Sequence, residues 1–264
     1  MNQKWIALQN HFKLSHTLTL EGKPPMPIQA VLFDMFDTLM IIEKEHAFYS
    51  PAVRSMHTYL TQNGIQVSFQ LFRDAYITAR DALYEAADEK MEDPHFNVRV
   101  KNALRILGYN PDSKGNIVQG ATDAFCKEFL NYVHIDENAV TSLEQLHGKY
   151  RLGVISNFAI PECVDNLLRE HNLSSFFEVI IVSAAVNRRK PHPEIFRFAL
   201  EKLQLKPSEA AFVGDTIDAD VKGPQEIGMK TVYIDRRPQK DLENTKPDRT
   251  IRSLSELEAT IERL

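Results

Sequence analysis

Cysteine is nearly absent: Cys126 and Cys163 are the only two in 264 residues, and they lie too far apart in the chain for a metal or redox motif. The expectation is two reduced, packed thiols in a cytoplasmic protein. No apolar run approaches the roughly 18 residues that a membrane-spanning helix needs. The amino terminus has no basic stretch leading into an apolar core, so no signal peptide is expected. Basic charge is not in surplus either. With a formal net charge of -5 and a pI near 6.0, the chain has no electrostatic footprint for nucleic acid. Internal repeats and low-complexity tracts are missing, which excludes solenoids and arrays.

What remains is an ordered, globular composition, 43% hydrophobic and 25% charged, long enough for one full domain and a smaller one. Residues 1–27 read as a polar extension ending in the linker Gly22-Lys23-Pro24-Pro25-Met26-Pro27. Its apolar residues Trp5, Ile6, Leu8, Phe12 and Leu14 either dock on the core or fray with the tail. From 43 to 133 the pattern is helical. Ala52, Val53, Met56, Tyr59 and Leu60 recur at helix spacing, as do Phe69, Phe72, Ala75, Tyr76 and Ala79, and residues 98–107 and 121–133 continue it. Gly64, Pro94 and the turn Gly108-Tyr109-Asn110-Pro111 separate these helices. Beyond 135, strands near 151–155, 178–182, 210–213 and 230–234 alternate with helices, the signature of a parallel sheet.

Chemistry-bearing residues sit at the ends of these strands. Residues 28–33 form a short, continuous apolar run that delivers Asp34 at its carboxyl end, with Thr38 four residues on. In open α/β sheets that end faces the ligand crevice. An aspartate there is, alone, an ordinary turn former or helix cap. Further strands and loops add Leu152-Gly153-Val154-Ile155-Ser156-Asn157, then Arg189-Lys190-Pro191, then Phe212-Val213-Gly214-Asp215 with Asp220 downstream. One aspartate, one hydroxyl, one lysine and an acidic pair, in that order, compose a phosphoryl-transfer site.

On these motifs the chain resembles the haloacid dehalogenase-like hydrolases over residues 28–235. The resemblance implies a Rossmann-like, doubly wound α/β core with an all-helical cap inserted after the first motif. That divides the chain into an extension (1–27), a core (28–42 and 134–264) and a cap (43–133). It implies Asp34 as nucleophile, already ionised at neutral pH with an ordinary pKa of ~4, and Thr38 as the residue that orients its loop. Ser156 and Asn157 would bind substrate, and Lys190 would offset charge on Asp34 and on the phosphate. Magnesium would be held by Asp34, Asp215 and the Phe36 backbone carbonyl, with Asp220 acting through a water. Such oxygen donors suit its octahedral preference. The expected substrate is a small phosphorylated molecule, and neither nucleic acid nor membrane is an expected partner.

One position departs from the family pattern. Phosphatases of this family usually carry a second aspartate two residues after the nucleophile, where this chain has Phe36. An aromatic there resembles the 2-haloacid dehalogenases, which need no metal; Asp215, a bare charge facing a carboxylate substrate, argues against that chemistry. The ranking is phosphatase, then dehalogenase, then a phosphate- and magnesium-binding protein with little turnover. Asp37 is one residue too far along to take that place, and a rescuing role for it, for Glu43 or for His46 stands against the ordinary reading of a loop-capping aspartate and a solvated helix start. In the cap, His46, Tyr49, Arg54 and Arg73 are the candidate substrate contacts, set against the ordinary reading of each, since helical caps are rich in solvated arginine and packed tyrosine.

Overall fold

The computed structural model describes residues 27–43, 47–112, 115–236 and 245–264; the extension 1–26 and His46 fall outside them. Its core is a six-stranded sheet in the order β5-β4-β1-β6-β7-β8, every pair parallel. These strands are β1 (Ala30–Phe33), β4 (Arg151–Ser156), β5 (Val179–Val182), β6 (Ala210–Gly214), β7 (Lys230–Ile234) and β8 (Arg249–Ile251). The alternation of strand side chains explains the unbroken apolar runs. Val31 and Phe33 of β1 point into the layer with α5 (Ala139–Leu146), α6 (Pro161–Glu170) and α10 (Leu257–Ile261). Ala30 and Leu32 point into the opposite layer with α8 (Pro193–Leu203). With both faces covered, a central strand has no polar side to show.

The expected strands are all present within a residue or two at their ends, and β8 is added at the edge. Its short Arg-Thr-Ile run carries too little pattern to be read in advance.

Among the described residues, four helices lie between the first motif and Val133: α1 (Tyr49–Gln62), α2 (Phe69–Asp88), α3 (Phe96–Ile106) and α4 (Asn116–Leu130). Their apolar stripes close on one another around Met56, Phe72, Tyr76, Val100 and Phe129, with α1 against α4 and α2 against α3. The tail of α2 lies near the core, where Arg188 and Arg189 pair with Glu92 and Asp88. Gly120 lets α4 approach α1, since a Cβ there would fall 2.0 Å from the Tyr59 hydroxyl. The chain leaves and re-enters the core through β2 (Met40–Ile42) and β3 (Val133–Ile135), which pair antiparallel as a two-stranded ribbon.

The expectation of two separate reduced thiols is corrected. Cys126 of α4 and Cys163 of α6, 37 residues apart in sequence, are joined by a disulfide that ties the helical layer to the core. Sequence distance hid the pair because packing of α4 over α6 brings their Cα atoms to 6.0 Å. Among the described residues no helix is long and apolar enough to cross a membrane.

Candidate active site

The carboxyl ends of β1, β4 and β6 converge beneath the helical layer and bring the four motifs together. Asp34 follows β1 directly, and its backbone N–H donates to the Val213 carbonyl at 2.8 Å, which fixes it beside β6. Thr38 is fully buried, with its Oγ1 3.4 Å from Asp34 Oδ2. Arg236 braces the loop, donating to the Thr38 carbonyl at 3.1 Å and pairing with Asp136 at 2.7 Å. No motif marked Arg236 in advance.

Lys190 enters from the loop before α8 and is only 4% exposed. Its Nζ donates to Asp34 Oδ1 at 2.5 Å and to Asp220 Oδ1 at 2.7 Å. Asn157 holds that loop in a reciprocal pair: its Nδ2 donates to the Lys190 carbonyl at 2.9 Å and its Oδ1 accepts from the Lys190 N–H at 2.8 Å. Both ends of the Asn157 amide are thus engaged in positioning the lysine. Ser156, fully buried at the end of β4, has an Oγ without a hydrogen-bond partner among the described residues. A buried hydroxyl left unmatched costs free energy, and a ligand oxygen would satisfy it.

The last motif closes the site. Asp220 turns back so that Oδ2 accepts from the Thr216 N–H at 2.9 Å. Gly214 makes room for it, because a Cβ at that position would meet Asp220 Cγ at 2.4 Å. Asp34, Asp215 and Asp220 place carboxylate oxygens within 4.8 Å of one another, with Lys190 as the ammonium touching two of them.

The electrostatics follow from that crowding. Burial pushes Asp34 up to about 6, and Lys190 restrains the rise while Asp220 adds to it. Burial, then the charges of Asp34 and Asp220, push Asp215 up to about 8. Burial works against the Lys190 charge, but Asp220 and Asp34 outweigh it and hold the ammonium above the usual lysine range. Three acidic side chains crowd round one ammonium, so a second cation would favour the ionised forms that burial and mutual repulsion oppose, and every carboxyl donor in the cluster is oxygen. A hard divalent cation such as Mg²⁺ fits this set.

Phe36 is half-buried and occupies the seam beneath the helices. Its ring lies 4.8 Å from that of Phe158 and 5.6 Å from that of Phe129 on α4. Neither described stand-in acid reaches this seam as a free acid. Asp37, in a left-handed conformation at φ 58°, accepts from the Ile42 N–H, and exposed Glu43 lies 3.6 Å from His134.

Beside the motifs is a cavity of about 330 Å³ between the helices and the core, lined on the core side by Asn157 to Ile160 and Arg189. On the helical side it is lined by Phe48, Tyr49, Tyr84, Phe96, Arg99 and Phe125. Of the expected cap contacts, Tyr49 is there. Arg54 instead stacks on Phe69, 4.0 Å from its centroid, and Arg73 lies half exposed beside Asp74. Arg99 was missed, although it falls on the apolar stripe of Phe96, Val100 and Ala103, where a charged residue is out of place.

Residues 63–234 match the haloacid dehalogenase-like hydrolase family. The chain is 28% identical over 228 residues to a glyceraldehyde 3-phosphate phosphatase of Methanopyrus kandleri, covering 84% of this chain and 90% of that protein. It is 30% identical over 211 residues to the glyceraldehyde 3-phosphate phosphatase of Pyrococcus abyssi, covering 78% and 81%. Among solved structures, the 2-haloacid dehalogenase from Pseudomonas syringae pv. tomato DC3000 superposes with a TM-score of 0.67 at 25% identity, covering 89% of this chain and 99% of that one.

Proposed function

The chain belongs to the haloacid dehalogenase-like hydrolases, and from that premise we propose that it is a Mg²⁺-dependent phosphatase of small phosphorylated metabolites, working through an aspartyl-phosphate on Asp34. The observation that carries the reading is the buried cluster of Asp34, Asp215 and Asp220 around Lys190. Relatives named as phosphatases support it.

An Asp34 carboxylate oxygen attacks phosphorus; a P–O bond forms, and the bond to the leaving oxygen breaks as that oxygen departs with its electron pair. Water then attacks phosphorus, releasing inorganic phosphate and restoring Asp34, while its proton passes to solvent. Lys190 keeps Asp34 ionised and offsets phosphoryl charge, and Ser156 Oγ donates to a phosphoryl oxygen. Asn157 positions Lys190, and Thr38 orients Asp34. Asp34, Asp215 and the Phe36 carbonyl would hold Mg²⁺. Asp220, whose oxygens accept from Lys190 and Thr216, would act through a water. When bound, the ion neutralises carboxylates and phosphate together.

Phe36 cannot carry a proton. General acid–base help is worth ~10²–10⁴ in rate, so turnover should favour leaving groups that depart as stable anions, acyl and aryl phosphates above alkyl esters. We take residues 43–133 as the cap, residues 28–42 and 134–264 as the core, and the β2–β3 ribbon as the joint between them.

The second reading is a 2-haloacid dehalogenase, favoured by the aromatic at 36 and by the 25%-identical dehalogenase structure. The deciding experiment measures phosphate release from acetyl phosphate and p-nitrophenyl phosphate with Mg²⁺ or EDTA, and chloride release from 2-chloropropionate, beside Asp34→Asn. Mg²⁺-dependent phosphate release that disappears in Asp34→Asn is expected. Chloride release persisting in EDTA without phosphate release would instead make the protein a dehalogenase; silence in both would leave a binding protein.

A further inference from the structure

Arg99 is 5% exposed, and among the described residues no carboxylate lies within ion-pair distance of it. Its guanidinium donates to two phenol oxygens, Tyr76 at 3.4 Å and Tyr84 at 2.9 Å. It lies 4.9 Å and 5.0 Å from the ring centroids of Tyr84 and Phe96. Burial pushes the Tyr76 phenol well above its ordinary range, so that partner is a neutral dipole. Among the described residues Arg99 Nε has no hydrogen-bond partner. An arginine stays charged under any physiological condition, and a buried charge without a counter-ion is costly. Of the other charged groups of the cavity, Asp93 feels the charges of Arg99 and Arg189 but makes no ion pair with Arg99 among the described residues, its carboxylate accepting from the Ser183 hydroxyl, and Arg189 adds charge of the same sign while pairing outward with Asp88.

Arg99 lines the cavity whose core-side wall begins at Asn157 and includes Arg189, the residues adjoining Ser156 and Lys190. The remaining wall is largely aromatic. We propose that this cavity receives the leaving group of the substrate and that Arg99 selects one carrying a carboxylate on an aromatic or similarly flat apolar body, a direct ion-pair partner for a guanidinium whose nearest anion in the cavity, Asp93, does not touch it. The substrate class is then a carboxylated aryl or acyl phosphate. This rests on the phosphatase reading above and agrees with the demand that Phe36 makes for a good leaving group.

The test compares 4-carboxyphenyl phosphate with its methyl ester, which keeps the ring and a similar leaving phenol but removes the charge. Acetyl phosphate serves as the common reference. The wild-type enzyme should prefer the carboxylate by about ten-fold or more in kcat/KM, mainly through KM, as for a lost charge-assisted hydrogen bond. In Arg99→Met the ratio of the two esters should fall toward one, and Arg99→Lys should recover part of it. Independently of any variant, 4-hydroxybenzoate should inhibit acetyl phosphate hydrolysis by wild type at least ten-fold more strongly than methyl 4-hydroxybenzoate. Equal kcat/KM for the two esters, equal inhibition by the two phenols, or a preference that survives Arg99→Met would each overturn the assignment. Absence of acetyl phosphate hydrolysis would instead overturn the phosphatase reading.

Discussion

The two sides of the cleft treat buried charge in opposite ways. On the core side Lys190 is clamped between Asp34 and Asp220, and its backbone is held by Asn157. On the cap side Arg99 is equally hidden but, among the described residues, its direct contacts are phenol oxygens and ring faces, with no ion pair. A reaction shared by a family needs its charges fixed before substrate arrives, because preorganised groups lose nothing to reorganisation in the transition state. Selection of a leaving group works the other way: a charge left waiting is satisfied only by a ligand that brings the opposite one.

The harshest way to break this contrast is Asp34→Asn. An amide cannot serve as the nucleophile, and phosphate release should fall by about 10⁴-fold or more, while Lys190 keeps Asp220 as partner and the fold persists. Circular dichroism beside the activity assay separates the two effects. Next comes a matched pair of charge deletions. In EDTA, Lys190→Met strands two buried carboxylates and should destabilise the protein by about 3–5 kcal/mol. Arg99→Met, which removes a cation with no ion pair, should cost about 1 kcal/mol or less, since its lost packing is offset by relief of desolvation. Urea midpoints measure both, and equal losses would erase the distinction between the two sides.

Phe36→Asp tests the seam where the sides meet. Supplying an acid should raise turnover of an alkyl phosphate relative to acetyl phosphate by about 10-fold to 100-fold. The same change removes the ring contacts with Phe129 and Phe158 and should lower stability. An unchanged substrate ratio in a folded variant would mean that position 36 does not face the leaving group.

The contrast also explains what the sequence made legible. Asp34, Ser156 and Asp215 sit at or just beyond the ends of central strands, and a strand buried on both faces announces itself as an apolar run. Lys190 and Asp220 are read as site residues only through the family motifs they match, since alone each is an ordinary loop lysine or helix-start acid. Arg99 and Arg236 have no such anchor. Arg99 is marked locally only by its place on the apolar stripe of α3, a signal that says it is buried and not what it meets, and Arg236 is recruited by a contact 198 residues away with Thr38 that nothing local marks. The disulfide escaped for the same reason. Asn157 was readable as a site residue, but its work of holding the Lys190 loop emerged only from the hydrogen-bond partners of both its amide atoms.

The smallest effect concerns pH and isolates the core side alone. In metal-free protein Asp34 is raised to about 6 and Asp215 to about 8, each from an ordinary 3.8. Between pH 4 and pH 8 the folded state then binds more protons at these groups than the unfolded state does. Stability must fall as pH rises through that window, because the slope of unfolding free energy follows unfolded minus folded protons. The contribution is fully favourable below the unfolded carboxylate pKa and is lost by the time pH passes the folded values. Under the proposed magnesium chemistry the ion should reverse the trend, binding the deprotonated oxygens and stabilising the folded state more at pH 8 than at pH 5. Melting temperatures in EDTA and in Mg²⁺ at pH 5, 6.5 and 8, each taken as wild type minus Asp215→Asn, remove the background of other titrating groups. A difference that declines with pH in EDTA and grows with pH in Mg²⁺ is expected. A difference flat in both would mean that the carboxylate surplus is already neutralised by Lys190, leaving the metal without an electrostatic reason to bind.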